Sequence, residues 1–80
     1  MYLEYNAEEE CYGIRNQRGW EVSCLPYGTE IFVLVEGGWY RTEIKRSTSS
    51  KHSHGWYLVG LYLLQLNGLT ASPIYTAEAV

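Results

Sequence analysis

The stretch EIFVLVEGGWYRTEIKR, residues 30–46, decides the fold of this chain. It opens with an apolar run, which is closed by Gly37-Gly38. Two adjacent glycines are a tight-turn signal, since glycine adopts positive φ without a Cβ penalty. The run WYRTEIKR begins directly after the turn. Two strand-like runs joined by a two-residue turn predict an antiparallel β-hairpin.

Working outward, a third apolar run, GWYLVGLYLL (residues 55–64), has the densest aromatic and β-branched content of the chain. It predicts a further strand, which would complete a meander. The intervening stretch STSSKHSH (residues 47–54) is polar and without periodicity, which predicts a mobile loop. His52 and His54 lie in this loop, but structural zinc needs four ligands, so we predict no metal site.

Side chains alternate between the two faces of a strand. In WYRTEIKR the predicted buried face carries Tyr40, Thr42 and Ile44, and the exposed face carries Trp39, Arg41, Glu43 and Lys45. The exposed face combines an aromatic ring with alternating charge, so it is the first surface to consider for partner binding. The alternative is that Trp39 shields a barrel end and that the charges are solvated. The predicted core consists of Ile31, Val33, Val35, Tyr40, Ile44, Trp56, Leu58 and Val59.

The N-terminal part predicts a second hairpin with an acidic tip. Residues 2–5 alternate large and polar side chains, and CYGIR (residues 11–15) has the pattern of a strand returning against them. Glu8, Glu9 and Glu10 form the tip. Asn6 followed three residues later by Glu9 also fits a capping box, which would begin one helical turn. We prefer the hairpin.

Turn signals divide the rest of the chain. Residues 16–19 are a turn cluster with Gly19 at positive φ, and residues 20–24 alternate as a half-buried edge strand that ends before Pro26. Residues 65–68 are another turn. A last short strand follows over residues 69–75, which Pro73 restricts to a sheet edge because proline has no N–H. Residues 76–80 are predicted to be a frayed tail.

Length and composition favour a small β-protein. The chain has 80 residues, which predicts a single domain over residues 1–80. Eight Tyr and three Trp allow a thin structure to bury a large area with few residues. We therefore predict an all-β fold, a small antiparallel, partly open SH3-like barrel.

Charge and cysteine content narrow the function classes. Nine acidic residues, all Glu, against six Lys plus Arg give a net charge of −3, which argues against non-specific nucleic-acid binding. No leader pattern and no apolar run of about 20 residues is present, so a cytoplasmic protein without membrane contact is expected. The two cysteines, Cys11 and Cys24, are predicted to be reduced, half-buried thiols.

Four segments of the chain carry a family resemblance: YNAEEECYGI, VLVEGGWYRTEI, GWYLVG and LNGLTA, in this order over most of the sequence. In these segments the chain resembles a small family of bacterial domains of unknown function, encoded chiefly on conjugative and phage-like mobile elements of Gram-positive bacteria. The resemblance implies a compact all-β domain similar to an SH3-like barrel. It supplies no catalytic residues.

Enzymatic activity is not expected. Nucleophilic catalysis requires a Ser or Cys activated by a positioned base, but both histidines lie in the polar loop and the chain has no Asp to orient them. The consecutive carboxylates of the acidic tip are expected to be solvated instead of opposed around a substrate. The sequence therefore predicts a non-enzymatic binding module without a cofactor.

Two binding hypotheses follow. The first is an acidic inhibitor from a phage or mobile element that covers the basic surface of a host defence nuclease, such as a CRISPR effector. Its predicted contact residues are Glu8, Glu9, Glu10, Glu21, Trp39 and Glu43. The alternative is a DNA- or RNA-binding accessory domain in element transfer, which would use Arg41, Lys45, Arg46 and Lys51 with Trp39 for stacking. The sequence leaves the oligomeric state open.

Overall fold

The computed structural model describes residues 1–47, 54–62 and 64–74, and no helix lies within these ranges. In chain order the strands are β1 (Tyr2–Asn6), β2 (Cys11–Asn16), β3 (Gly19–Val22), β4 (Glu30–Val35), β5 (Gly38–Arg46), β6 (Trp56–Leu58) and β7 (Ala71–Pro73). They form two antiparallel sheets, with strand orders β1-β2-β3 and β6-β5-β4-β7. The prediction of a small antiparallel all-β fold is confirmed, and the two sheets are not closed into a barrel.

The first hairpin is present as predicted. β1 pairs with β2 from Tyr2–Arg15 to Asn6–Cys11, and the acidic tip is the turn between the strands. The Asn6 side-chain oxygen accepts hydrogen bonds from the backbone N–H groups of Glu8 (3.1 Å) and Glu9 (3.3 Å). Asn6 therefore caps the first residues of the turn, while the chain reverses instead of continuing as a helix.

Cys11 and Cys24 are joined by a disulfide bond, so the prediction of two reduced thiols is wrong. The chain after β3 returns beside the start of β2, where the Leu25 N–H donates to the Tyr12 carbonyl oxygen at 2.8 Å. This brings the two cysteine Cα atoms to 5.7 Å, within the usual range for a disulfide. The proximity depends on the register of three strands, which the spacing of the cysteines does not reveal.

The central hairpin turns one residue earlier than predicted. Val35 pairs with Gly38, so the two turn residues are Glu36 and Gly37, with φ of 50° and 82°. Two positive φ values in a two-residue loop match the twist of the flanking strands. Gly38 is the first residue of β5 instead of a turn residue.

The last two strands are shorter than predicted. β6 covers only the start of the predicted strand 55–64, because the chain turns after Leu58, where the Leu61 N–H donates back to the Leu58 carbonyl oxygen at 3.0 Å. Gly60, at φ 81°, lies in this turn. β7 is an edge strand beside β4, as Pro73 predicts, but it has three residues.

The buried apolar side chains come from both sheets: Leu3, Cys11, Tyr12, Ile14, Leu25, Ile31, Val33, Ile44, Trp56, Leu58, Leu66 and Ala71. Five of the eight predicted core residues are among them. Tyr40 and Val59 were wrongly predicted to be buried, since they are 51% and 37% exposed, and Val35 is half-buried. Tyr40 and Val35 lie next to the hairpin turn, and Val59 lies beyond the end of β6, where the core no longer covers them.

The two sheets are joined by β1. Tyr2 forms a bridge with Thr70, and the Leu3 backbone donates to the Leu69 carbonyl oxygen (2.8 Å) and accepts from the Gly68 N–H (2.7 Å). The first strand therefore borders the second sheet beside β7.

Two predictions fall mainly outside the described residues. Residues 48–53 of the predicted mobile loop and the predicted tail over residues 76–80 belong to the part of the chain that the structure leaves undescribed. Within the described ranges, no helix has the length and hydrophobicity required to cross a membrane.

Candidate partner-binding site

One face of the second sheet points away from the core. It carries most of the β5 residues that the two binding hypotheses name. In the β4–β5 register, Trp39 lies opposite Leu34, and Arg41 lies opposite Phe32. Directly opposed residues share a face of an antiparallel sheet. The same rule adds Glu30, opposite Glu43, and Tyr57, opposite Lys45. The outer face is defined by Glu30, Phe32, Leu34, Trp39, Arg41, Glu43, Lys45 and Tyr57.

The outer face has exposed aromatic rings at the end nearest the β4–β5 turn. Trp39 is 53% exposed and Phe32 is 36% exposed, whereas Ile31 and Val33, on the opposite face of β4, are fully buried. The alternation predicted from the sequence places Trp39 correctly. The same alternation could not identify Phe32 as exposed, because every residue of the run IFVLV is apolar and the pattern does not show which face of β4 is buried.

Arg41 and Glu30 form a two-point ion pair on this face. The Arg41 Nε and Nη2 atoms lie 3.2 Å and 2.8 Å from the two Glu30 carboxylate oxygens. The hydrogen bond and the charge of Arg41 hold the pKa of Glu30 below its ordinary value, and the same contact raises the pKa of Arg41. The positive charge of Arg41 is therefore matched within the sheet.

Two tyrosines, Tyr27 and Tyr57, lie near Lys45 at the other end of β5. The Lys45 Nζ atom lies 6.0 Å from the centre of the Tyr27 ring, and Lys45 is paired across strands with Tyr57. The Tyr57 and Tyr62 rings lie 5.3 Å apart. Tyr27 and Tyr62 are 64% and 53% exposed. Tyr27, Tyr57 and Tyr62 are the tyrosine cluster.

The four basic residues of the alternative hypothesis do not form one patch. Arg41 and Lys45 share the outer face, but Arg46 has the opposite parity on β5. Its guanidinium carbon lies 5.0 Å from the centre of the Trp56 ring, which belongs to the core. Lys51 lies outside the described residues.

The predicted acidic contact residues are also dispersed. Glu8, Glu9 and Glu10 precede β2, whereas Glu21 follows it and accepts a hydrogen bond from the Asn16 side chain at 3.0 Å. A six-residue strand spans about 16 Å, so these carboxylates lie at opposite ends of the first sheet. Glu43 lies on the second sheet. The structure places only Trp39 and Glu43 of the predicted set on one face.

No sequence pattern indicates the cleft that lies beside β5. The cleft has a volume of about 230 Å³ and is lined by Tyr40, Arg41, Thr42, Val59, Gly60 and Leu61. The Thr42 hydroxyl donates to the Val59 carbonyl oxygen at 2.8 Å, which fixes the turn after β6 against β5. The cleft was missed because Tyr40 and Val59 were assigned to the core.

His54 contacts the first sheet. Its imidazole ring stacks on the Tyr5 ring, with centroids 3.8 Å apart and planes within 6°. Across the described ranges, no three His, Cys, Asp or Glu side chains come together as a set of metal ligands.

Comparison with known proteins identifies the family. No curated protein and no solved structure matches the chain. The sequence profile of a family described as Domain of unknown function (DUF5348) matches residues 1–72. The match includes both sheets up to β7, the whole outer face and the cleft. The chain therefore belongs to the DUF5348 family of domains of unknown function.

Proposed function

We propose that this domain is a non-enzymatic binding module and that its outer face binds a protein partner. The observation that supports this most directly is the exposure of Trp39 and Phe32 on a regular sheet face. A small domain has little apolar area with which to stabilise its fold. Large rings that remain in solvent contribute little to that stability, and a partner that covered them would gain the free energy of their burial. Trp, Tyr and Arg are also the residue types that anchor interfaces most strongly.

The charges of the outer face suit a protein partner. Glu30 and Glu43 balance Arg41 and Lys45, so the face is neutral although the chain carries a net charge of −3. Here an apolar patch lies beside charges of both signs, and protein–protein interfaces likewise combine an apolar part with a polar border. Affinity at this face is therefore expected to depend weakly on salt.

Affinity capture from the host with the purified domain, followed by mass spectrometry, tests this proposal. The Trp39→Ala/Phe32→Ala variant should fail to retain the partner. With the partner in hand, Trp39→Ala alone should weaken binding by about 2 kcal/mol or more, as expected for a large aromatic anchor. The control is Tyr62→Ala, which removes an equally exposed ring outside the outer face. Full retention by the double variant, with an unchanged circular dichroism spectrum, would contradict the proposal.

A finer proposal concerns the identity of the partner. We propose a host defence nuclease with a basic surface, such as a CRISPR effector, on the basis of the acidic net charge and of the resemblance to domains of phage-like and conjugative elements. Because the carboxylates are dispersed, they would act mainly by steering the encounter. Glu8→Lys, Glu9→Lys and Glu10→Lys together should then slow association at low salt and leave the thermal midpoint nearly unchanged. An unaltered association rate and undiminished nuclease activity would exclude this role.

A second candidate, single-stranded DNA or RNA, is favoured by the tyrosine cluster near Lys45. Stacking of bases on aromatic rings beside a cation is the common mode of single-strand binding. Anisotropy of a labelled oligothymidylate, titrated with salt, tests it. Steeply salt-dependent binding that is lost in the Arg41→Ala/Lys45→Ala variant supports this candidate, and the absence of binding at low salt excludes it.

A further inference from the structure

Among the described residues, half of one edge of β5 has no strand beside it. β4 pairs with β5 along residues 38–43, whereas β6 pairs on the other side only with Ile44, Lys45 and Arg46. In the part of the chain that the structure describes, no strand borders residues 38–42 on the β6 side. We call residues 38–42 on this side the open edge.

The backbone groups of Trp39 and Arg41 point outward at the open edge. Along a strand, the N–H and C=O groups of successive residues point alternately to the two sides. The Glu43 carbonyl oxygen accepts from the Val59 N–H at 3.0 Å, so the odd-numbered residues of β5 face the β6 side. Trp39 and Arg41 are the next two odd-numbered residues and both are exposed. Their N–H and C=O groups can therefore pair with an added strand.

The cleft described above lies at the end of the open edge. Tyr40 and Thr42 line it from β5, and Val59 and Leu61 line it from the turn after β6. Both β5 side chains are on the face opposite Arg41. An added strand would place every second side chain on this face, where the aliphatic walls of the cleft can receive it.

Arg41 lies beside the open edge and, although it is paired with Glu30, keeps further N–H donors. It is the one charged residue among those that line the cleft. Two of its N–H groups are directed at Glu30, and a guanidinium has five. The remaining donors can reach a carboxylate on the outer face of an added strand.

We propose that the open edge binds an extended peptide segment by strand addition. The peptide places an aliphatic side chain in the cleft, and the adjacent residue, a carboxylate on the opposite face, pairs with Arg41. Main-chain hydrogen bonds with Trp39 and Arg41 hold the segment, while the cleft and the arginine select its side chains. This site uses the backbone edge and the cleft, whereas the proposed folded partner would cover the side chains of the outer face. Trp39 and Arg41 belong to both.

Amide exchange measured by NMR tests the proposal with a capped heptapeptide of sequence Thr-Thr-Leu-Glu-Val-Thr-Thr. Saturation should slow exchange of the Trp39 and Arg41 amides. The Tyr40 and Thr42 amides already face β4 and should change little, which makes them internal controls. The same peptide with alternate amides N-methylated keeps its side chains but loses the hydrogen bonds, so it should not bind.

Arg41→Gln tests the recognition of charge. It should weaken the peptide about two- to fivefold, the range of an exposed ion pair, and replacement of the peptide Glu by Gln should cause no further loss in this variant. Arg18→Gln removes an exposed arginine from the β2–β3 turn and should leave the affinity unchanged.

Three results would overturn strand addition: no binding, equal binding of the N-methylated peptide, or unchanged exchange at Trp39 and Arg41. The Phe32→Ala variant separates this proposal from the previous one. It should impair capture of a folded partner and leave peptide binding intact. If capture of the folded partner depends on Phe32 but the peptide does not bind, strand addition at the open edge is excluded and the proposed role of the outer face is not.

Discussion

At Glu30 and Arg41, a diagonal contact between neighbouring strands determines how two exposed charges behave. The alternation of β5 predicted that Arg41 faces solvent. It could not predict the partner, because Glu30 is brought beside Arg41 only by the register of the hairpin. From the sequence, Arg41 was therefore predicted to be an available cation, whereas in the fold its charge is paired with that of Glu30.

The pH dependence of this pair can be measured. The pKa of Glu30 is lowered from 4.5, so any contribution of the pair to stability is present above pH 4.5 and is lost as the pH falls through the folded-state pKa. We expect Arg41→Gln to return the pKa of Glu30 toward 4.5, as followed by carboxyl NMR titration. Arg15→Gln, which removes the Glu4 pair instead, should leave Glu30 unchanged. An unaltered Glu30 pKa in Arg41→Gln would contradict the assignment.

Gly13 is required by close packing that its sequence context does not reveal. A Cβ atom at Gly13 would lie 2.7 Å from the Ser23 carbonyl oxygen and 2.8 Å from the Trp20 ring. We expect Gly13→Ala to lower the free energy of unfolding by about 2–4 kcal/mol through overpacking against backbone. Gly38→Ala is the matched control, since its Cβ would meet only the Tyr40 ring at 3.5 Å. Urea denaturation compares them, and equal stability of both variants would refute the packing argument.

Among the elements, the central hairpin was the most predictable. Turn residues between two strand-like runs predict an antiparallel pair of strands, which is present. The alternation of side chains along β5 also assigns Thr42 and Ile44 correctly to the inner face. Alternation does not show how far the opposing sheet extends, so Tyr40 was placed in the core although the core ends before it. The exposed outer face could thus be predicted in part, whereas the cleft and the open edge depend on where β6 ends.

The two faces of β4 should respond differently to truncation. Val33 is fully buried, and we expect Val33→Ala to cost about 1–3 kcal/mol because it leaves a cavity. Phe32→Ala removes a larger side chain from the exposed face and should cost less, which urea denaturation of both variants will show. A larger loss for Phe32→Ala would mean that the outer face is covered.

For the molecule as a whole, the disulfide is the strongest single constraint on the unfolded chain. The cysteines are separated by 13 residues, and a loop of this size predicts a loss of about 3 kcal/mol when the bond is removed. We expect a Cys11→Ala/Cys24→Ala variant to lose this amount of unfolding free energy in urea. A reducing agent should destabilise the parent domain similarly and have no effect on the variant. If the reducing agent leaves the parent unchanged, the bond is absent in solution.

The junction of β1 with the segment before β7 has a consequence for how the protein folds. Both hairpins are local, and each can form as soon as its own residues are available. Docking the sheets requires Leu3 to pair with Gly68 and Leu69, which closes a loop over most of the chain, and such long-range closure is slow. During synthesis, Leu3 of the first sheet therefore lacks these backbone partners until Gly68 and Leu69 have left the ribosome. Aggregation and proteolysis of nascent chains should be concentrated in this interval.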